Sequence, residues 1–390
     1  MIDTIVLALP QELFTITDPD VFTPSAAWIP YFAKAPKGTA NNTFALRGIT
    51  SKQNPTKKEL ASGIYKPRLT LLQHPYFASS IPKTLLKIEL SLPKLLFGNN
   101  FEELIQKQFP DLVHKLCNVL QTMGVSTNID ALTHADIWGI HFSKNIPLTD
   151  GSIPYHYISK IEQANIKLSL DINQTDYRNK GHSYKWHSNA YELVFYDKIR
   201  DLEQAKKSDK RSMEKDNAIQ LHLYQDLHDK KKFEVLRMEA RLNNRRKIQQ
   251  ILEKLSIKAP LTFKGLFKTT IARKVLLHYL DEIEHARPAL LDFKTNNTKS
   301  LLVALIFNNP TLSPRRIFQL YGMKLALDTI SIRELRTMFG ASNKRSWYRL
   351  IADMKNVSIT RQSPLSNPFK IIKDCLDEFK PTIKEIFLNY

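Results

Sequence analysis

Phe233-Glu234-Val235-Leu236-Arg237-Met238-Glu239-Ala240-Arg241-Leu242 reads as a strand whose two faces differ in kind. Arg237, Glu239 and Arg241 share one face, and Leu236, Met238 and Ala240 hold the intervening positions. One side of such a strand is suited to an apolar core. The other carries charge that needs partners or solvent. Working back along the chain, 191–197, 183–187 and 167–173 read as further strands, and 199–232 as a highly charged helical stretch. Ile153–Gln163 has helical spacing and Asp136–Phe142 is strand-like. Phe101–Met123 places Leu112, Val113, Leu116 and Leu120 at helical intervals and stops at Gly124. Leu86–Leu92 alternates and ends at Pro93, residues 10–64 are mixed with a polar loop over Ser51–Glu59, and residues 2–9 form a short buried strand.

Strands interspersed with helices predict the α+β class: an N-terminal antiparallel-sheet domain with flanking helices over 1–250. After Pro260 the periodicity is helical with few strand signals. This predicts a mainly α-helical second domain over 261–390. No internal repeat is evident, and low-complexity content is limited to basic clusters such as Lys230–Lys232 and Arg245–Lys247.

The chain has 390 residues, long enough for two cores, and an ordinary apolar content. Its charge is less ordinary: 57 Lys and Arg against 38 Asp and Glu, a net +19. Residues 251–390 carry 23 basic and 12 acidic side chains, a surplus of 11, which leaves 8 for residues 1–250. A folded surface with this spread of charge attracts a polyanion, most commonly nucleic acid. Simple solubility is the competing reading. Cys117 and Cys375 lie far apart in apolar helical patterns, which fits reduced thiols and a cytoplasmic location. The opening residues lack the basic region of a signal peptide, and no apolar run approaches the roughly 18 residues of a membrane span, so no membrane partner is expected.

Three constellations carry chemistry. Tyr196-Asp197-Lys198 ends the strand-like run Ala190–Asp197. A tyrosine hydroxyl, with a pKa near 10, needs a base or a nearby cation to attack a phosphodiester. Lys198, two residues on, is placed to supply that charge. A strand-end tyrosine packing its ring on the core has the same signature. The second set comprises Glu89, Asp136, His141 and Glu239, whose carboxylates and imidazole would suit Mg²⁺ or Mn²⁺. Simple alternation puts Asp136 and His141 on opposite faces, Arg237 and Arg241 are ready ion-pair partners for Glu239, and Glu89 also reads as a strand-edge charge. The third is Ser331–Asn356. Here Ser331-Ile-Arg-Glu334 is a capping box, Gly340 breaks a helix, and Trp347, Leu350, Ile351 and Met354 line the next one. The other faces carry Lys344, Arg345, Arg349 and Lys355, in the manner of a DNA-binding helix-turn-helix or an ordinary helical hairpin.

Taken in order, these stretches resemble the gene II replication proteins of filamentous phages, within the wider rolling-circle initiators. The resemblance runs through Met1-Ile2-Asp3 with Val6–Pro10, Ile88-Glu89-Leu90, Pro93–Leu96 with Gly98-Asn99, and Ile140–Ser143. It continues through Leu193–Lys198 and Leu236–Arg241, covering about residues 1–247. Beyond that it is carried only by Arg345–Arg349. The family has an acidic residue where this chain has His141, which leaves the ligand set open. The resemblance implies a nuclease domain that nicks one strand at a replication origin, with Tyr196 forming a 5′-phosphotyrosine and Lys198 stabilising the transition state. It implies a Mg²⁺ or Mn²⁺ held by Glu89 with His141 or Glu239, and DNA contacts from Arg237, Arg241, Lys344, Arg345 and Arg349. Host helicase and polymerase are the implied partners after the 3′-hydroxyl primer is released. A non-catalytic DNA-binding regulator and a tyrosine transposase or relaxase are the alternatives.

Overall fold

The structure, a computed structural model, describes residues 1–29, 48–54, 65–74, 83–162, 164, 177–178, 182–188, 190–204, 234–286, 290, 298–342, 344–358 and 368–383. The expected strand over 167–173 and most of the charged 199–232 stretch lie outside these residues.

The chain is mixed α and β, with a large antiparallel sheet followed by helices. In chain order the strands are β1 (Ile2–Pro10), β2 (Thr15–Ile16), β3 (Ser25–Ile29), β4 (Gly48–Gln53), β5 (Arg68–His74) and β6 (Lys83–Ser91). They continue as β7 (Val125–Ser126), β8 (Asp136–Leu148), β9 (Tyr177–Arg178), β10 (Ser183–His187), β11 (Tyr191–Asp197) and β12 (Glu234–Leu242). Ten of them form one sheet in the order β3-β4-β5-β6-β1-β8-β12-β11-β10-β9, and β2 and β7 pair separately.

That order contains a duplication which the sequence does not announce. In the first half β1 is followed by the meander β3 to β6, whose last strand returns to pair with β1. In the second half β8 is followed by β9 to β12, and β12 returns to pair with β8. The halves meet where β1 and β8 pair antiparallel. Their returning strands read Leu86-Lys87-Ile88-Glu89-Leu90 and Leu236-Arg237-Met238-Glu239-Ala240. Five shared residue characters are too few to detect by eye, whereas the shared topology is plain.

Alternation divides the sheet into an apolar and a polar face. Leu7, Ile88, Ile140, Met238 and Phe195 are fully buried in one continuous core. The helices Phe109–Thr122, Arg245–Lys254, Thr269–Ala286 and Pro368–Glu378 contribute to that core, each with an apolar stripe. Each such leucine or isoleucine contributes about 1.5–3 kcal/mol by leaving water. The predicted 101–123 helix begins later, at Phe109, because Asn99 turns the chain by accepting from the backbone N–H groups of Phe101 and Glu102. Pro110 then occupies the first turn, where its missing N–H costs nothing. Gly124 ends the helix at φ +77°, a left-handed conformation suited to glycine.

The packing divides the chain elsewhere than at 250/261. Helices Thr269–Ala286 and Pro368–Glu378 belong to the sheet's core, while among the described residues a second core draws its buried side chains from residues 290–357, with Ala286 packed against it and Trp347 fully buried in it. Gly340 lies inside the helix Ile332–Ser342, and only residue 343 separates it from Lys344–Asn356. This is shorter than the turn of a helix-turn-helix. Burial of Leu335 and the packing of Phe339 beside Trp347 hold that helix despite its glycine. Among the described residues no helix is long and apolar enough to cross a membrane.

Candidate functional site

The polar face is densest where β8, β12 and β11 run side by side. Register sets the arrangement. Arg237 lies between Asn145 and Tyr196, Glu239 between Ser143 and Val194, and Arg241 between His141 and Glu192. Directly opposed residues share a face, so the alternation of β12 assembles one charged cluster.

Glu239 is its centre and is 2% exposed. Its Oε1 accepts from the Tyr196 hydroxyl at 2.7 Å and from Arg237 Nε at 2.8 Å. Its Oε2 accepts from Arg241 at 2.9 Å (Nε) and 2.7 Å (Nη2). Arg237 spends its remaining donors on Asp3 Oδ1 at 2.7 Å, Asn145 Oδ1 and the Asn100 carbonyl at 3.0 Å each, and Ser143 Oγ at 3.1 Å. Arg241 also reaches Glu192 Oε2 at 3.3 Å, and Glu192 in turn holds His187 Nδ1 at 2.8 Å and Lys185 at 3.3 Å. A buried guanidinium is tolerable only when its fork is matched in this way.

Lys198 arrives by a different route from the one the sequence predicts. The strand ends at Asp197 and Lys198 opens the helix Lys198–Gln204. Its Nζ donates to Asn100 Oδ1 at 2.9 Å and lies 5.8 Å from the centre of the Tyr196 ring. Burial, with Arg237 nearby, brings the ammonium down to about 7. Burial and the Glu239 charge raise the Tyr196 hydroxyl well above its ordinary value. Burial alone would raise Glu239, but Arg241, Arg237 and the Tyr196 hydrogen bond outweigh it and hold the carboxyl well below the usual range. Burial beside Arg241 lowers His141 to about 4, so its imidazole is neutral at physiological pH.

The predicted metal ligands are brought together only in part: His141 and Glu239 share the polar face of the paired strands β8 and β12, and Glu89 stands apart from them. Glu89 is on β6, two strands from β8, or about 10 Å across the sheet, and its exposed carboxylate sits 3.9 Å from Arg68. Both oxygens of Glu239 are already occupied by cationic or hydroxyl donors. Among the described residues no group of three His, Cys, Asp or Glu is placed to hold a metal. In this arrangement the donor set does not fit Mg²⁺ or Mn²⁺. A register shift between Val6 and Leu7 inserts Trp138 into β8, so Asp136 and His141 share the polar face instead of opposing each other. Asp136 is nevertheless committed to Arg245 at 2.8 Å.

The predicted DNA contacts separate into two places. Arg237 is 1% exposed and saturated, and the Arg241 side chain is 30% exposed. Lys344, Arg345 and Arg349 are exposed on the helix Lys344–Asn356, whose Trp347, Ile351 and Met354 face its core as the spacing predicts. Asp3, Asn100, Ser143, Asn145 and Glu192 escaped the sequence reading. Asp3 did carry a signal, as a lone acid in an apolar strand.

Comparison with protein-family profiles, with curated proteins and with solved structures returns no match.

Proposed function

We propose that the chain is a rolling-circle replication initiator that nicks one strand of origin DNA through Tyr196. The observation that carries this reading is the 2.7 Å hydrogen bond from the Tyr196 hydroxyl to a carboxylate flanked by two arginines, with Lys198 beside the ring. A nucleophile, a proton acceptor and three cationic groups then occupy one largely buried polar cluster, the set that phosphodiester transfer draws on.

In the resting arrangement Glu239 is a weak base, because the arginines hold its pKa down. An incoming phosphate is a competing anion. As Arg241, the more exposed of the two, turns to the phosphate oxygens, Glu239 loses compensation and becomes more basic. The Tyr196 proton passes to Glu239 while the Tyr196 oxygen bonds phosphorus. The bond from phosphorus to the 3′ oxygen breaks, and Lys198, near neutrality, protonates the departing oxygen. The products are a 5′-phosphotyrosine and a 3′-hydroxyl for a polymerase to extend. Reversal on a regenerated end closes the displaced strand without ATP.

A second reading follows from the saturation of the same cluster. In a DNA-binding regulator, Tyr196, Arg237 and Glu239 would be a structural lock alone, in keeping with the raised tyrosine. Nicking of supercoiled circular DNA carrying the element's own intergenic region separates the two, run with and without Mg²⁺ or Mn²⁺. Open circles with protein on the 5′ end, absent in Tyr196→Phe, support the initiator. Specific binding without nicking by either protein removes it in favour of the regulator.

A further inference from the structure

The polar face continues past the Tyr196 cluster onto the first half of the sheet, where it changes from buried to open. Lys52, Thr70, Lys87, Ala8 and Asp136 form one transverse row there, and Arg68, Glu89, Val6 and Gly139 form the next. The side chains of Arg68 and Glu89 are 54% and 51% exposed, and Lys52 is exposed. The extra residue in β8 adds Trp138, with Lys87 Nζ 5.4 Å from its ring centre. Arg245, 44% exposed, borders the patch through Asp136. Among the described residues four cations thus stand against two carboxylates along these two rows, with Lys87 beside the Trp138 ring.

We propose that this half of the face is a platform for single-stranded nucleic acid, with one strand crossing the sheet from β5 toward Tyr196. Its direction rests on the reading of Tyr196 as the nicking nucleophile. From Lys87 on β6 to Tyr196 on β11 is four strand spacings, about 19 Å across the sheet, with an offset of about 30 Å along β8 from Asp136 to Asn145, so the strand runs diagonally for roughly 35 Å, which a run of several nucleotides spans. Trp138 stacks a base, and Lys52, Arg68, Lys87 and Arg245 meet phosphates. The ring lies on a sheet face with Lys87 beside it, where a base can reach it only by leaving a duplex stack. The occupant is therefore a single strand and not a double helix. The duplicated fold gives the two halves of one face separate tasks, the second holding the reacting phosphate and the first the strand that leads to it.

The test uses the full chain carrying Tyr196→Phe, which cannot be consumed by nicking, and fluorescence anisotropy with a labelled dT15 probe. Trp138→Leu should weaken binding roughly tenfold, while Trp138→Phe keeps a stacking ring and stays within about threefold. Arg68→Glu and Lys87→Glu should each flatten the salt dependence by about 0.7 or more in log–log slope, the share of one phosphate contact on a single strand. Circular dichroism is the check that each variant folds, and both charge changes lie on exposed or half-exposed positions. Affinity within twofold of the parent for Trp138→Leu and both charge variants would overturn the platform. So would an equal loss on a 15-base-pair duplex. If binding depends on these residues but wild type never nicks, the platform stands and the initiator reading fails; the reverse result removes the platform alone.

Discussion

Glu239→Gln isolates the centre of the charged cluster with almost no change in shape. The carboxylate accepts four hydrogen bonds, two on each oxygen, and three come from guanidinium groups. A glutamine turns one of those oxygens into a donor. If the amide faces Arg241, two donors on that side lose their acceptor. If it faces the other side, Tyr196 can rotate its hydroxyl to accept, but Arg237 Nε cannot. Either way a buried positive charge loses its nearest counter-charge, although Arg237 keeps Asp3. Breaking a buried pair by removing one partner costs about 3–5 kcal/mol. With an m-value of about 2 kcal/mol/M, the urea midpoint should fall by roughly 2 M. The pH dependence gives a second reading of the same energy. The folded-state pKa of Glu239 is depressed, so its contribution is fully present above its unfolded value near 4.3 and is lost as pH falls through the folded value. The variant should lose that part of the acid sensitivity below about pH 4.5. A midpoint within about 0.3 M of wild type, with an unchanged acid limb, would refute the claim that the cluster is a stabilising lock.

Three further outcomes are expected. His141 should titrate near pH 4 by NMR; because its folded pKa lies below the unfolded value of about 6.5, it opposes folding progressively as pH falls from 6.5 toward 4, and His141→Asn should remove that slope. Trp347→Ala should cost about 3–5 kcal/mol and open residues 290–357 to proteolysis while hydrogen exchange in β8 and β12 stays slow. Gly124→Ala should destabilise by more than about 1 kcal/mol in thermal unfolding, since its φ is +77° and an added Cβ would lie 2.5 Å from the Asp18 carbonyl oxygen.

Local pattern carried the strands well. The alternation of 233–242 and 191–197 reappears within a residue as β12 and β11, and residues 183–187 match β10. It also placed Trp347, Ile351 and Met354 inward and Lys344, Arg345 and Arg349 outward. Pairing between distant segments was not legible. Arg237 meets Asp3 across 234 residues, and the buried Glu103 binds Lys144 and the Thr382 N–H, contacts that no window along the chain contains. One inserted residue was enough to reverse the predicted facing of Asp136 and His141. The candidate site was legible as a list of residue types on β11 and β12. Its closure by Asn100, Asn145 and Asp3 depends on strand order, which alternation does not encode.

The insertion of residues 290–357 between two helices that both dock on the sheet bears on how the chain is made. Helix Pro368–Glu378 packs on β8, and Lys144 in β8 binds the Lys380 carbonyl. Residues 368–382 leave the ribosome only after the whole inserted unit. Until then Glu103 and Lys144 have each other but lack the backbone groups of 380–382, and part of the apolar face stays wet. At about 5–20 residues per second the 68 residues of 290–357 take roughly 3–14 s to synthesise. During that interval a ten-stranded sheet with part of its apolar face uncovered waits for the helix Pro368–Glu378, a window in which a holding chaperone would find its surface.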